Sequence, residues 1–198
     1  MKSVRFRFAG LFAGLAAVSI LTGVAAAQSA APEPAAANKP LQPSDTKEFG
    51  DWSVRCYPAS SGMPCEMIEL LVNKKSNRRV LGVLIVYNPA QNRNVVQVSM
   101  PLGVLIPNGA VLGSDTYTSE VMHYRLCDMQ GCYAIAALDS GAIKALGQAT
   151  KAEMRVVAAD GKKVNLSFSV KGFTAAYNAL VDMTRQKSTP APAAEPGH

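Results

Sequence analysis

The chain has 198 residues, 48% of them hydrophobic and 17% charged, which is enough apolar material for a packed core and excludes an intrinsically disordered polypeptide. Its formal charge of +6 shrinks once the first residues are read as a removable leader: Lys2, Arg5 and Arg7 go with it, leaving 17 bases against 14 acids, or +3. A bias that small does not by itself argue for nucleic acid, and no nucleic-acid partner is expected.

The opening MKSVRFRFAGLFAGLAAVSILTGVAAAQS combines those three bases with an apolar run from Phe8 to about Val24 and the small residues Ala25-Ala26-Ala27. That is the pattern of a secretory signal peptide over residues 1–27, with the mature chain starting at Gln28. The abundant Gly and Ala and the polar residues that follow speak against an uncleaved anchor, so no transmembrane segment is expected in the mature chain. No cysteine follows the run, which removes a lipoprotein anchor. A periplasmic, secreted or outer-surface location is expected. Residues 28–46 form a Pro/Ala-rich spacer and residues 187–198 a tail of the same character, neither able to bury a core. Between them, residues 47–186 make one domain of about 140 residues.

Period-two alternation dominates that domain. DWSVRC and CEMIELLV flank a loop with Pro58, Gly62 and Pro64, and VLGVLIVY (80–87) is apolar throughout, as in a strand covered on both faces. Between them, NKKSNRR (73–79) clusters Lys74, Lys75, Arg78 and Arg79 in a turn. Such a turn is usually a solvated connection, but it also suits an anionic surface such as lipopolysaccharide, glycan or phospholipid. NVVQVSM (94–100) is the next strand. The apolar PLGVLIPNGAVLG (101–113) carries turn residues at Pro107-Asn108-Gly109 and reads as a hairpin, buried rather than exposed. TSEVMHYRL (118–126) and CYAIAAL (132–138) are two further strands, and SGAIKALGQA (140–149) holds a short helix.

The hairpin EMRVVAADGKKVNLSFSV permits a register test. A two-residue loop would set Arg155 against Leu166, whereas the loop Ala159-Asp160-Gly161 sets Val156 against Val164 and Met154 against Leu166, with Gly161 at the left-handed position. The three-residue loop is expected. In GFTAAYNALVDMTRQ, residues Phe173, Ala176, Tyr177, Leu180 and Val181 recur at helical spacing, predicting an amphipathic helix that caps the strands. The whole reads as an all-β antiparallel sandwich or barrel with a C-terminal amphipathic helix.

Four cysteines, Cys56, Cys65, Cys127 and Cys132, in an exported domain imply disulfides, with three possible connectivities. The spacing matches neither a zinc site nor a thioredoxin-like C-x-x-C. A four-residue loop in CDMQGC places Cys127 opposite Cys132, Leu126 opposite Tyr133, Tyr124 opposite Ile135 and Met122 opposite Ala137, so a cross-strand bridge fits. Cys56–Cys65 is then the second bridge. It would set Trp52 opposite Glu69, a mismatch that calls for a bulge. Of the two histidines, His198 lies in the tail and His123 falls on the outer face of a strand beside Arg125, a poor position for a triad. No phosphate loop, zincin motif or calcium loop is present, and neither metal nor other cofactor is expected.

Taken together, FGDWSVRC, CEM, VLGVLIVYNP, VSMPLGVLIPNG, LCDMQGCYA and DGKKVNLSFSVKGFTAAYNAL resemble the bacterial invasion-associated locus B family over about residues 47–183. The resemblance implies an exported protein with an immunoglobulin-like β-sandwich, cysteines at the positions the family uses, and a link to host-cell invasion, notably of red blood cells. It supplies no catalytic residues to carry over. The expectation is a non-enzymatic envelope or periplasmic module that binds a protein or an envelope or host-surface component. The alternative is an envelope hydrolase or redox accessory whose site is scattered through the sequence.

Overall fold

A computed structural model describes residues 41–58 and 64–188. The expected signal peptide, most of the spacer and nearly all of the tail lie outside these residues. Among the described residues, ten strands form two antiparallel sheets, with a seven-stranded sheet in the order β1-β2-β3-β4-β5-β8-β7 and a three-stranded sheet in the order β10-β9-β6. The strands are β1 Asp45–Phe49, β2 Trp52–Cys56, β3 Cys65–Asn73, β4 Arg78–Asn88, β5 Arg93–Met100, β6 Ala110–Ser114, β7 Tyr124–Asp128, β8 Gly131–Leu138, β9 Ala152–Val157 and β10 Lys163–Phe168. Two α-helices lie among the described residues, α1 Ser140–Gln148 and α2 Phe173–Ser188.

The all-β class with a C-terminal helix is as expected from the alternation. The strand order is a meander through β1 to β5, whereas immunoglobulin-type sandwiches use Greek-key connections between their sheets. The inner faces supply the core: Trp52, Val54 and Met67 from β2 and β3, Val83 and Ile85 from β4, Val96 and Val98 from β5, and Leu112 and Met154 from the small sheet, all 2% exposed or less. Helix α2 covers the β1–β4 end of the large sheet by contacts with all four strands. Phe173 packs edge-on to Trp52 at 5.2 Å, and the Tyr177 hydroxyl donates to Asn94 Oδ1 at 3.1 Å. Arg185 sits over the Tyr87 ring and donates to its hydroxyl oxygen at 3.2 Å. Helix α1 is capped by Asp139, whose carboxylate accepts the Ala142 N–H at 2.7 Å.

The β9–β10 register agrees with the alternation argument. Val156 pairs with Val164 and Met154 with Leu166, around the loop 159–161 with Gly161 at φ +83°. Other expectations need correction. Strand β1 begins at Asp45, inside the stretch read as spacer, and α2 continues to Ser188, past the expected boundary at 186. The stretch 118–126 is not one strand: β7 starts at Tyr124, while Thr118 and Met122 make single bridges to Gly113 and Ala110 of β6. In the stapled hairpin Cys127 pairs with Cys132 and Leu126 with Tyr133, but an irregularity then sets Tyr124 against Ala134 instead of Ile135. Met122 pairs with Ala110 and not Ala137, because it belongs to the small-sheet side of the sandwich. The segment 101–113 is no hairpin. Pro101–Leu105 is a strap leading from β5 to a 3-10 turn at Ile106–Asn108, and only then does β6 begin. Val104 bridges Ala158, and the Leu105 N–H donates to the Val157 carbonyl at 2.8 Å. These bonds lay the strap across the end of β9, leaving Leu102 59% exposed. No shift occurs in the paired stretch of β2 and β3; the bulge lies between Leu71 and Val72 on the β3–β4 side.

Candidate functional site

Two disulfides join Cys56 to Cys65 and Cys127 to Cys132, each closing a hairpin between neighbouring strands. Cys56 and Cys65 are buried at 0% and 1% exposure, so that bridge belongs to the core. Cys127 is exposed. Its bridge holds a turn in which the Asp128 carboxylate accepts the N–H groups of Gln130 at 2.7 Å and Gly131 at 3.1 Å. Gly131 has φ +146°, and a side chain there would meet the Met100 carbonyl. This close approach seats the stapled turn against the end of β5, where the strap begins.

The basic turn is built in the same way. Asn73 Oδ1 accepts the N–H groups of Lys75 at 2.9 Å and Ser76 at 3.1 Å, turning β3 into β4. Lys74 and Lys75 stand exposed at the tip. Arg78 and Arg79 lie at the start of β4, and the Arg79 guanidinium donates to the Gln130 carbonyl of the stapled turn at 3.1 Å.

Those contacts bring together three stretches singled out in the sequence. The basic turn supplies Asn77, Arg78 and Arg79, the strap Pro101 and Leu102, and the stapled turn Met129 and Gln130, around an open cleft of about 490 Å3 completed by Leu70 of β3. Its apolar walls face water: Leu70 is 43%, Leu102 59% and Met129 92% exposed. The ion pairs formed among the described residues, Arg155–Glu153 and Lys162–Asp160, involve none of the four basic-turn residues. Two guanidinium groups beside exposed aliphatic side chains suit a ligand with an anionic group and an apolar part. Lys74 and Lys75 are outside the lining and act only as nearby charge. The clustering of Arg78 and Arg79 was legible in the sequence, whereas their apolar neighbours come from β3, the strap and the stapled turn.

Glu69 is the residue that sequence reading misplaced. It is only 7% exposed, inside the sandwich close to Trp52 and Ser169. One oxygen accepts the Ser169 N–H at 2.9 Å, while Oε2 has no hydrogen-bond partner. Trp52 donates from Nε1 to the Ser169 carbonyl at 3.0 Å, and the Ser169 hydroxyl donates to Asp51 at 2.7 Å. Burial pushes the Glu69 carboxyl up to about 7; the Ser169 N–H opposes this and the charge of Asp51 adds to it. The sequence signal was the forced pairing of Trp52 with Glu69, which turns the acid inward without a bulge.

His123 is exposed between the Met122 bridge and β7, and it lines none of the clefts described here. Among the described residues no group of three His, Cys, Asp or Glu side chains could hold a metal ion. No helix among them is long and apolar enough to cross a membrane. A second groove, about 460 Å3, runs between α1 and α2 past Ile143, Phe173 and Tyr177, with Lys144 as its one charged lining residue.

No curated protein matches the chain by sequence. Among solved structures it is similar to the crystal structure of invasion associated protein b from Bartonella henselae, with a TM-score of 0.64 and 25% identity over 72% of this chain and 99% of that one. The family model described as "Invasion associated locus B (IalB) protein" matches residues 52–181, from the core tryptophan to the middle of α2. This chain therefore belongs to the invasion associated locus B family.

Proposed function

We propose that this is an exported, non-enzymatic binding module of the cell envelope, and that the cleft between the basic and stapled turns takes an anionic component of an envelope or host surface. The observation that carries the reading is the convergence of Arg78 and Arg79 with the exposed Leu70, Leu102 and Met129 in one cleft. Export is supported by the leader-like first 27 residues and by two disulfides, which persist in oxidising compartments. The name of the similar Bartonella henselae protein supports a role at host contact.

The test is co-sedimentation with phosphatidylglycerol vesicles and with neutral phosphatidylcholine vesicles over a range of salt. Selective, salt-sensitive binding that the double variant R78E/R79E loses supports the cleft. Equal binding to both vesicles, or binding that survives the charge reversal, removes it. Cell fractionation tests export separately, and a cytoplasmic, reduced protein would refute it.

A further inference from the structure

The strap has two sides. On one, Pro101 and Leu102 wall the arginine-bearing cleft. On the other, the same two residues wall a pocket of about 180 Å3 at the mouth between the two sheets. Its remaining lining includes Met100 of β5, Val156 of β9, and Val164 and Leu166 of β10, with no charged side chain. The two spaces are also linked along β4, where Arg78 and Arg79 line the cleft and the next residue, Val80, lines the pocket. An apolar opening between sheets, with two guanidinium groups beside its rim, suits an alkyl chain that ends in an anion.

We infer that the site takes a single-chain anionic amphiphile, its alkyl chain entering the pocket under Leu102 and its phosphate or carboxylate meeting Arg78 and Arg79. This inference rests on the cleft reading above and deepens it by naming the ligand class. The cleft alone would accept any anion. The pocket adds a requirement for hydrocarbon, because its walls carry no charged side chain, and a space this small fills after a handful of methylene groups.

Titration calorimetry of the oxidised protein with monomeric n-alkyl phosphates and n-alkyl carboxylates of increasing chain length provides the test. Each methylene that enters the pocket is expected to tighten binding about fourfold, followed by a plateau when the pocket is full. The phosphate and carboxylate series distinguish a lysolipid-like ligand from a fatty acid. Ala158 also lines the pocket, and Ala158→Phe, which puts a ring into it, is expected to flatten the length dependence while the affinity for inorganic phosphate, which has no chain, stays unchanged. Leu102→Asn, a neutral polar change at an exposed position that walls the pocket, is expected to lower the gain per methylene and serves should the first variant unfold. R78E/R79E is expected to weaken every chain length about tenfold or more. If charge reversal weakens binding but chain length has no effect, the amphiphile is overturned and the cleft stands; displacement by a sulfated polysaccharide would then assign it to an anionic glycan. Insensitivity to charge reversal overturns both readings. Length dependence that persists in both pocket variants places the chain elsewhere and overturns the inference.

Discussion

The guanidinium of Arg79 and the carbonyl of Gln130, 51 residues apart in sequence, meet at 3.1 Å and join the basic turn to the disulfide-stapled one. Each turn is shaped by its own side chain, Asn73 in one and Asp128 in the other. Each is therefore stiff before they touch, and the cleft between them is preformed.

Because this contact is exposed, its worth to folding is small. Arg79→Ala is expected to change unfolding free energy by less than about 1 kcal/mol in urea. Affinity for anionic vesicles should meanwhile fall about tenfold with the loss of a charge-assisted contact. A loss of several kcal/mol in stability with unchanged binding would make Arg79 a strut between turns and nothing more.

Glu69 should make stability depend on pH with a defined sign. Its carboxyl is raised from 4.5 to about 7, so the folded protein binds more protons than the unfolded chain between those values. Stability therefore falls as pH rises through that window and is flat above it. Glu69→Gln mimics the protonated acid, keeps an acceptor for the Ser169 N–H and should abolish the slope. At pH 8 it should be more stable than the parent by an amount on the order of 3 kcal/mol, the shift converted at ~1.36 kcal/mol per unit. Thermal or urea melts from pH 4 to pH 9 measure this, and a slope that survives the substitution assigns the titration to another group.

The two bridges should separate under mild reduction. Cys127 is exposed, whereas Cys56 and Cys65 are buried. Differential alkylation followed by mass spectrometry should show the 127–132 bridge opening first. Replacing that pair by alanine is expected to cost about 2 kcal/mol and replacing Cys56 and Cys65 about 3 kcal/mol on the chain-entropy model, more for the latter if the core does not close over the lost sulfur. Equal labelling of all four thiols at every time point would contradict the ordering.

What could be read from sequence was local. The three-residue loop around Asp160 and the face-to-face cysteines both follow from side-chain period and turn length, which act within one hairpin. Strand β1 was missed because four of its five residues are exposed, leaving no alternation to detect. Glu69 was misplaced because an acid in an alternating strand is expected to face water, yet continuity with the cysteine pair turns it inward. The strap was read as a hairpin because Pro107-Asn108-Gly109 looks like a hairpin turn; instead it forms a 3-10 turn between two sheets. Of the cleft only the basic cluster had a local signal, since Leu102 and Met129 reach Arg79 through pairing of distant segments.

Both disulfides join cysteines that are consecutive in the chain, at separations of 9 and 5 residues. Oxidation in order of synthesis, first with second and third with fourth, therefore yields the native set directly. The first bridge closes within β2 and β3, whose pairing needs nothing downstream. A chain threaded N-terminus first into an oxidising compartment can complete each link as its hairpin emerges, with no wrong partner yet within reach. For a chain exported in this way, the native connectivity would be favoured by timing as well as by energy.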